Sequence, residues 1–516
     1  MHPDMQSLKN LLLEIKKIQS IEALLHWDQE TYMPEGGGDI RAQHLAYLSC
    51  LAHDVQTGDA FRSELKKWVD MQTGEPLPAI GNGDADTRRF LYLVWKDYHD
   101  ASALPAEFIR ERAIHTAKSE QAWQKARKED DYPAFAPYLE KTIQLKKQEA
   151  AYYGYQTTPY DALLDQYEPD MTSEKVEALF GELKPALIDL VRYINHSGVT
   201  IDDSPLFRAF DETGQWEFGL RVAKLMGFDL TKGRQDRSAH PFTTSFHPTD
   251  VRITTRVSKT FFKSALFATI HETGHALYEQ GLNPDDYGTP FGEPISYGIH
   301  ESQSRLWENL VGRGTMFWHH VYPLLKDTFP KPLKGVKPKD FYRMINTVTP
   351  SLIRVEADEV TYSLHIMLRF EIELMLINGN LSVRELPELW NRKMDEYLGI
   401  RPDSDKNGVL QDVHWSSGYF GYFPTYALGN LYAAMIMEQA YAEMPDLDDR
   451  INAGDLLPLR EWLREHIHRN GRRMSAESLI TSLTGKPLSV QPYVNYLENK
   501  YKKIYSLPNR KFRKNL

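Results

Sequence analysis

Cysteine is all but absent: Cys50 stands alone in 516 residues. No intramolecular disulfide can form, a cysteine-based zinc cluster has no ligands, and the usage suits a reducing compartment. Long apolar runs are missing too. Nothing approaches the roughly 18 to 20 consecutive apolar residues that span a bilayer, so no membrane partner is expected. Basic excess is also lacking. Lys and Arg number 61 against 71 Asp and Glu, a net charge of -10 that repels nucleic acid. The one basic concentration, "KYKKIYSLPNRKFRKNL" at the end, reads as a solvated tail. The opening "MHPDMQSLKNLLLEIKK" has no basic leader, no long apolar core and no small-residue cleavage pattern, and reads as an amphipathic helix rather than a signal peptide. Cytoplasm is the expected placement.

What is present is a balance of 41% hydrophobic and 26% charged residues, that of a globular chain with ample core material. From residue 7 to about 228 the pattern is mostly helical, as in "LKNLLLEIKKIQSIEALLHW" and "VEALFGELKPALIDLVRYI". Breaks fall at "MPEGGGD" and at "TGEPLPAIGNGD", the second a candidate mobile link near residues 73 to 84. The period changes once, at "SAHPFTTSFHPTDVRITTRVS", where alternation around the turn-forming "HPTD" predicts a β-hairpin. Helical texture then returns to the end. The expectation is a mainly α chain, residues 1–516 as a single domain, with a small β-hairpin near the chemistry.

That chemistry is announced by "HETGH" at 271–275 inside "FFKSALFATIHETGHALYEQ". Residues four apart share one face of a helix about one turn apart, so the imidazoles of His271 and His275 can converge on one ion. Glu272 projects beside them, where it can reach a metal-bound water. This is the HExxH spacing of zinc peptidases, with the glutamate as general base. The helix is apolar around the motif, as a buried metal-bearing helix would be, and "GLNP" ends it. The competing reading is a coincidence in a chain with 18 histidines.

A catalytic zinc needs a third protein ligand and an open position. Downstream, "GEPISYGIHESQSRLWENLVG" predicts a second, returning helix that carries Glu301. Glu293, expected in the loop, and Glu308, two turns along beside Trp307, compete with it.

Further motifs stand in order: "HPF" at 240–242, "DVRIT" at 250–254, "HESQ" at 300–303, "IRVEAD" at 353–358 and "GVLQDVHW" at 408–415. With "HETGH", and with "LLHWDQETYMP" and "YDALLDQYEPDMT" nearer the start, this set closely resembles the carboxypeptidase Taq family of metallopeptidases over nearly the whole chain. The resemblance implies a helical peptidase with a deep substrate cleft, commonly a homodimer. It would use one zinc or cobalt ion per subunit and remove C-terminal residues from peptides with broad specificity. It also places the third ligand on Glu301. The helices up to about residue 230 would then roof the cleft, and residues 231–516 would carry the metal and substrate site.

Within that frame, Glu272 takes a proton from the nucleophilic water and returns it to the leaving amine. His414, Tyr419 and Tyr422, set around two glycines in "HWSSGYFGYFPTYALGN", are candidate oxyanion donors on a loop that the glycines would let move. The partner expected is a peptide with a free C-terminus, whose carboxylate calls for a guanidinium fork. Arg354 is the first choice, against a structural ion pair with Glu356 or Asp358. Asp358 is also a candidate to orient a metal-bound imidazole. His240 and Arg252, flanking the hairpin, are further substrate-site candidates, its edge being able to hold an extended peptide. The rivals are a zinc endo-oligopeptidase without a carboxylate clamp, and a noncatalytic helical peptide-binding scaffold.

Overall fold

The computed structural model describes residues 5–78 and 84–508. Part of the expected link, the first four residues and the end of the basic tail lie outside the described residues. Helices dominate, as the periodicity predicts. None of the described helices is long and apolar enough to cross a membrane.

The chain forms two compact units, each drawn from three segments. The first comprises Met1–Ala103, Ser204–Pro338 and Gln439–Gly485; the second comprises Leu104–Asp203, Lys339–Glu438 and Lys486–Leu516. The first 230 residues therefore do not form one block. "HETGH", "HPF", "DVRIT" and "HESQ" fall in the first unit, while "IRVEAD" and "GVLQDVHW" fall in the second.

In the first unit, the opening helix Gln6–Thr31 buries Leu8, Ile15, Ile18 and Trp27. The core there joins Leu8 and Ile15 to Phe61, Leu65, Phe90, Val94 and Phe291. The predicted hairpin is present as β2 (Thr243–His247) and β3 (Asp250–Thr255), turning at Pro248 and Thr249. A strand the sequence did not suggest, β1 (Gly233–Arg237), pairs parallel with β3, giving the order β1-β3-β2. "GRQDR" has no apolar alternation, which is why it escapes a pattern reading.

The "HPF" residues lie on the connection from β1 to β2, which must pass over the end of β3. Thr254 of β3 ties it down. Its hydroxyl accepts from Ser238 Oγ at 2.7 Å and from the Phe242 amide at 2.9 Å. Two of the motifs are thus one local construction.

In the second unit, helix Ser173–His196 is capped by Thr172, whose side chain accepts from the Lys175 amide. Its buried residues Val176, Phe180, Leu183, Leu187, Leu190 and Ile194 recur at three- and four-residue steps, the stripe of an amphipathic helix. Helix Tyr362–Asn378 is buried nearly all round, from Tyr362 and Leu364 through Ile372 to Ile377, and ends on Gly379 at φ 81°. It is the central element of that unit, packed against helices Tyr132–Tyr153, Pro159–Leu164 and Ser173–His196.

Candidate active site

The motif helix runs Phe262–Gly281 and stops where "GLNP" predicts, with Asn283 capping the next turn. The returning helix is Tyr297–Arg305, entered through a Ser296 cap that accepts from the Ile299 amide. The two helices come unusually close at Gly274. A Cβ there would lie 2.6 Å from the Ser304 Cα and 2.7 Å from the Gln303 carbonyl oxygen. Only glycine allows this approach, and the approach brings Glu301 over the histidine pair.

One ligand atom from each of His271, His275 and Glu301 lies within 4.8 Å of the others. Glu301 Oε2 is 3.7 Å from His271 Nε2 and 3.4 Å from His275 Nε2. Two imidazole nitrogens and one carboxylate oxygen suit a divalent ion with one position left open. The outer nitrogens strengthen the fit, because both are engaged elsewhere. His271 Nδ1 lies 2.9 Å from Glu308 Oε2. His275 Nδ1 lies 2.6 Å from His300 Nδ1, whose Nε2 lies 2.9 Å from Glu279 Oε1. Assigning the protons from the carboxylates inward makes each outer nitrogen a donor. Both Nε2 lone pairs then point at the shared space, the arrangement that orients metal-binding imidazoles.

Glu308 thus lies against the outer nitrogen of His271 and not within the cluster of three donor atoms. The returning helix continues as a π-helical turn, Leu306–Val311, and this wider turn carries Glu308. Arg313 donates to its Oε1 at 3.0 Å, while Arg305 donates to Glu301 Oε1 at 2.7 Å. Glu293 lies off the helix, as expected, and pairs with Lys16 at 2.6 Å.

The electrostatics separate the two histidines. Burial alone pushes His271 down, but Glu301, Glu308 and Glu272 outweigh it and raise its pKa. His275 is pushed down to about 3 by burial and by His300. Glu301 and Glu308 sit well below the usual carboxylate range: burial opposes this, but Arg305 and the histidines prevail, joined at Glu308 by Arg313. Glu272 moves the other way, raised by burial against the pull of His271 and Thr243. That is the direction a proton acceptor working near neutrality requires.

Thr243 at the start of β2 donates to Glu272 Oε2 at 2.7 Å, so the hairpin fixes the glutamate beside the histidine pair. His240 is exposed on the connection before it. Arg252 on β3 is held by Asp250 through Nε at 2.9 Å and Nη2 at 3.0 Å. Its guanidinium also lies between the Trp27 and Phe246 rings, 4.3 and 4.9 Å from their centroids. The "W" of "LLHWDQETYMP", Trp27, thereby supports the "R" of "DVRIT".

The second unit holds the remaining candidates. Arg354 is buried, and its ion-pair partner is neither Glu356 nor Asp358. Its Nε and Nη2 donate to Asp412 Oδ1 at 3.0 and 2.8 Å, and its Nη1 donates to the Tyr362 hydroxyl at 3.1 Å. Arg369, fully buried, takes the other oxygen, with Nε 2.7 Å from Asp412 Oδ2. One carboxylate thus faces two guanidiniums. Asp358 is occupied locally, accepting from the amides of Thr349, Val360 and Thr361 and from the Thr361 hydroxyl.

His414 Nδ1 lies 4.0 Å from Asp412, and its Nε2 lies 3.4 Å from the Tyr426 hydroxyl. Burial first, then Arg354, hold its pKa down to about 3, so the ring is neutral. Its ring packs on Phe423 at 4.5 Å and near Tyr422 at 5.7 Å, while Tyr419 is exposed.

The chain is similar to known proteins over nearly its whole length. Residues 7–501 match the family described as "Carboxypeptidase Taq (M32) metallopeptidase". The chain is 42% identical over 510 residues to "Thermostable carboxypeptidase 1" of Thermus thermophilus, covering 97% of this chain and 98% of that protein. It is 40% identical over 498 residues to "Carboxypeptidase 1" of Bacillus subtilis, covering 96% and 98%. The crystal structure of the M32 carboxypeptidase from Deinococcus radiodurans superposes with a TM-score of 0.93 at 39% identity, covering 98% of this chain and 100% of that one.

Proposed function

The chain belongs to the carboxypeptidase Taq family and is a metallocarboxypeptidase, a hydrolase of peptide bonds; on that premise we propose that His271, His275 and Glu301 hold its metal ion and that Glu272 is the general base. The convergence of three donor atoms within 4.8 Å, with both outer imidazole nitrogens engaged, carries this reading. The nitrogen and oxygen donors, and the family likeness, favour zinc, with cobalt as the alternative. When bound, an ion of this kind would supply Lewis acidity, bringing the pKa of an attacking water to about 7 and polarising the scissile carbonyl.

The chain's own residues do the rest. Glu272, oriented by Thr243, takes the proton of the attacking water and delivers it to the departing amine. His414 as a neutral donor, Tyr419 and Tyr422 supply hydrogen bonds to the oxyanion. Arg354 recognises the C-terminal carboxylate of the peptide. The supporting observation is charge: two buried guanidiniums share one Asp412 carboxylate and leave an unbalanced positive charge. β2 is an edge strand, and we assign the extended peptide to the hairpin, with His240 and Arg252 as its polar contacts. Specificity is broad, a property inferred from the family likeness. The same likeness supports a homodimer with one ion per subunit, and the single exposed Cys50 accords with a cytoplasmic setting.

Two measurements on one variant test the core of this reading. Glu272→Gln is expected to bind one zinc per chain, by titration into stripped protein, while kcat falls by roughly 10²- to 10⁴-fold. Loss of zinc from that variant, or retention of full activity, would sink the assignment.

A further inference from the structure

One buried carboxylate has no part in the chemistry above. Glu373 lies on the central helix Tyr362–Asn378 of the second unit and is fully buried. Three donors reach it. Its Oε1 accepts from Trp415 Nε1 at 2.8 Å; its Oε2 accepts from the Tyr160 hydroxyl at 2.8 Å and from the Gly421 amide at 3.0 Å.

Two of those donors flank functional candidates in the chain. Trp415 follows His414, and Gly421 precedes Tyr422. Between them the loop turns on Gly418 at φ 78° and Gly421 at φ 87°, conformations that favour glycine. A Cβ on Gly421 would sit 2.7 Å from the backbone of Leu163 and Leu164, so the loop is pressed onto helix Pro159–Leu164. The glycines seat this segment rather than free it. The "YDALL" stretch near the first motifs is the surface on which it sits.

We propose that Glu373 is a positioning residue of the peptidase, a single anchor that clamps the loop 414–423 at both ends and so sets where His414 and Tyr422 stand. This rests on the reading of that loop as part of the substrate machinery. A carboxylate suits the task because it accepts at both oxygens, and bonds to an ionised acceptor are roughly twice as strong as neutral ones. An amide in its place accepts at one atom only, so either Trp415 or Gly421 would face an N–H.

The anchor also carries a pH signature. Burial raises the pKa of Glu373 to about 7, against the three donors and Arg369. The charged and titratable groups facing it are Tyr160 from one helix, Lys146 from Tyr132–Tyr153, and Arg369 from its own helix. Lys146 is paired with Glu149 and Arg369 with Asp412, so neither is free to neutralise it. A folded-state pKa above the ordinary value means that the folded protein holds the proton more tightly than the unfolded chain. The resulting stability is full below the ordinary carboxylate range and is lost as pH rises through about 7. Ionisation therefore tightens the loop while costing stability.

The test is the pH profile of kcat for the metal-loaded enzyme on a free-carboxylate peptide, in wild type, Glu373→Gln, Trp415→Phe and Tyr160→Phe. Glu373→Gln is expected to bind metal normally and to lose about 10- to 100-fold in kcat relative to wild type at pH 8, with a smaller loss at pH 6, where the wild-type anchor is itself protonated. Trp415→Phe, which removes one clamp only, should show a smaller fall. Tyr160→Phe, whose bond is not to the loop, should keep kcat within about twofold. Wild-type kcat in Glu373→Gln at both pH 6 and pH 8, with His414→Ala and Tyr422→Phe both impaired, overturns this inference alone. Silence in His414→Ala and Tyr422→Phe overturns the loop reading and the inference with it. A fall in kcat for Glu373→Gln that is equally large at pH 6 and pH 8 would mean a structural role only, and also overturns it.

Discussion

The His271–His275–Glu301 cluster and the arginine cluster are built on opposite charge balances. In the first unit, Glu272, Glu279, Glu301 and Glu308 surround His271 and His275, with Arg305 and Arg313 set against the last two acids. In the second, Arg354 and Arg369 share Asp412. On the proposed reading, one region holds a cation and the other receives an anion. Each achieves this with a buried charge left unmatched by the protein, which is where a ligand's charge gains most from low dielectric. The lesson is that the ligand-facing groups are identifiable by imbalance, and the positioning groups by balance.

Removing the balancing group should be the most damaging change. Asp412→Asn leaves two buried guanidiniums facing each other and is expected to destabilise the protein by about 3 to 5 kcal/mol, read from denaturant unfolding. A change below about 1 kcal/mol would mean that water already solvates the pair, and the two regions would not differ as described.

Next in size come the outer partners of the ligands. Glu308→Gln should weaken zinc binding roughly 10- to 100-fold, measured by competition with a chelator. Glu279→Gln, one residue further from its ligand because His300 intervenes, should weaken it less. Equal losses would show that the relay through His300 transmits orientation without attenuation.

A subtler change tests the helix contact. Gly274→Ala introduces a Cβ against the fixed backbone of Ser304 and Gln303, and should cost about 1 to 3 kcal/mol together with some zinc affinity. Stability lost with zinc affinity unchanged would separate the contact from the site.

The smallest effect is a pH dependence. His271 holds its proton above the usual histidine value in the metal-free protein, so zinc binding must displace it. Zinc affinity should fall as pH drops through that raised value, with proton release detectable by titration in buffers of different ionisation enthalpy.

Local patterns were legible in the sequence; long-range partners were not. The motif helix, its stop at "GLNP", the returning helix and the hairpin all follow from period and turn chemistry. β1 escaped because "GRQDR" is a polar edge strand whose pairing partner, β3, is reached after β2 has intervened. Arg354 shows the same limit. Its neighbours in sequence, Glu356 and Asp358, looked like partners, yet its carboxylate is Asp412, 58 residues away. Glu308 was visible only as a rival ligand, because nothing in "RLWENLV" announces a π-helical turn that swings it onto His271. Gly274 passed unnoticed, its meaning lying in the helix that packs against it.

The most direct test of the whole reading is mass-spectrometric trimming of a peptide with a free C-terminus beside its amidated twin, by metal-loaded wild type and Glu272→Gln. Stepwise loss of C-terminal residues from the free peptide alone, by wild type alone, is the expected result. Equal internal cleavage of both peptides, or trimming that survives in Glu272→Gln, would contradict it.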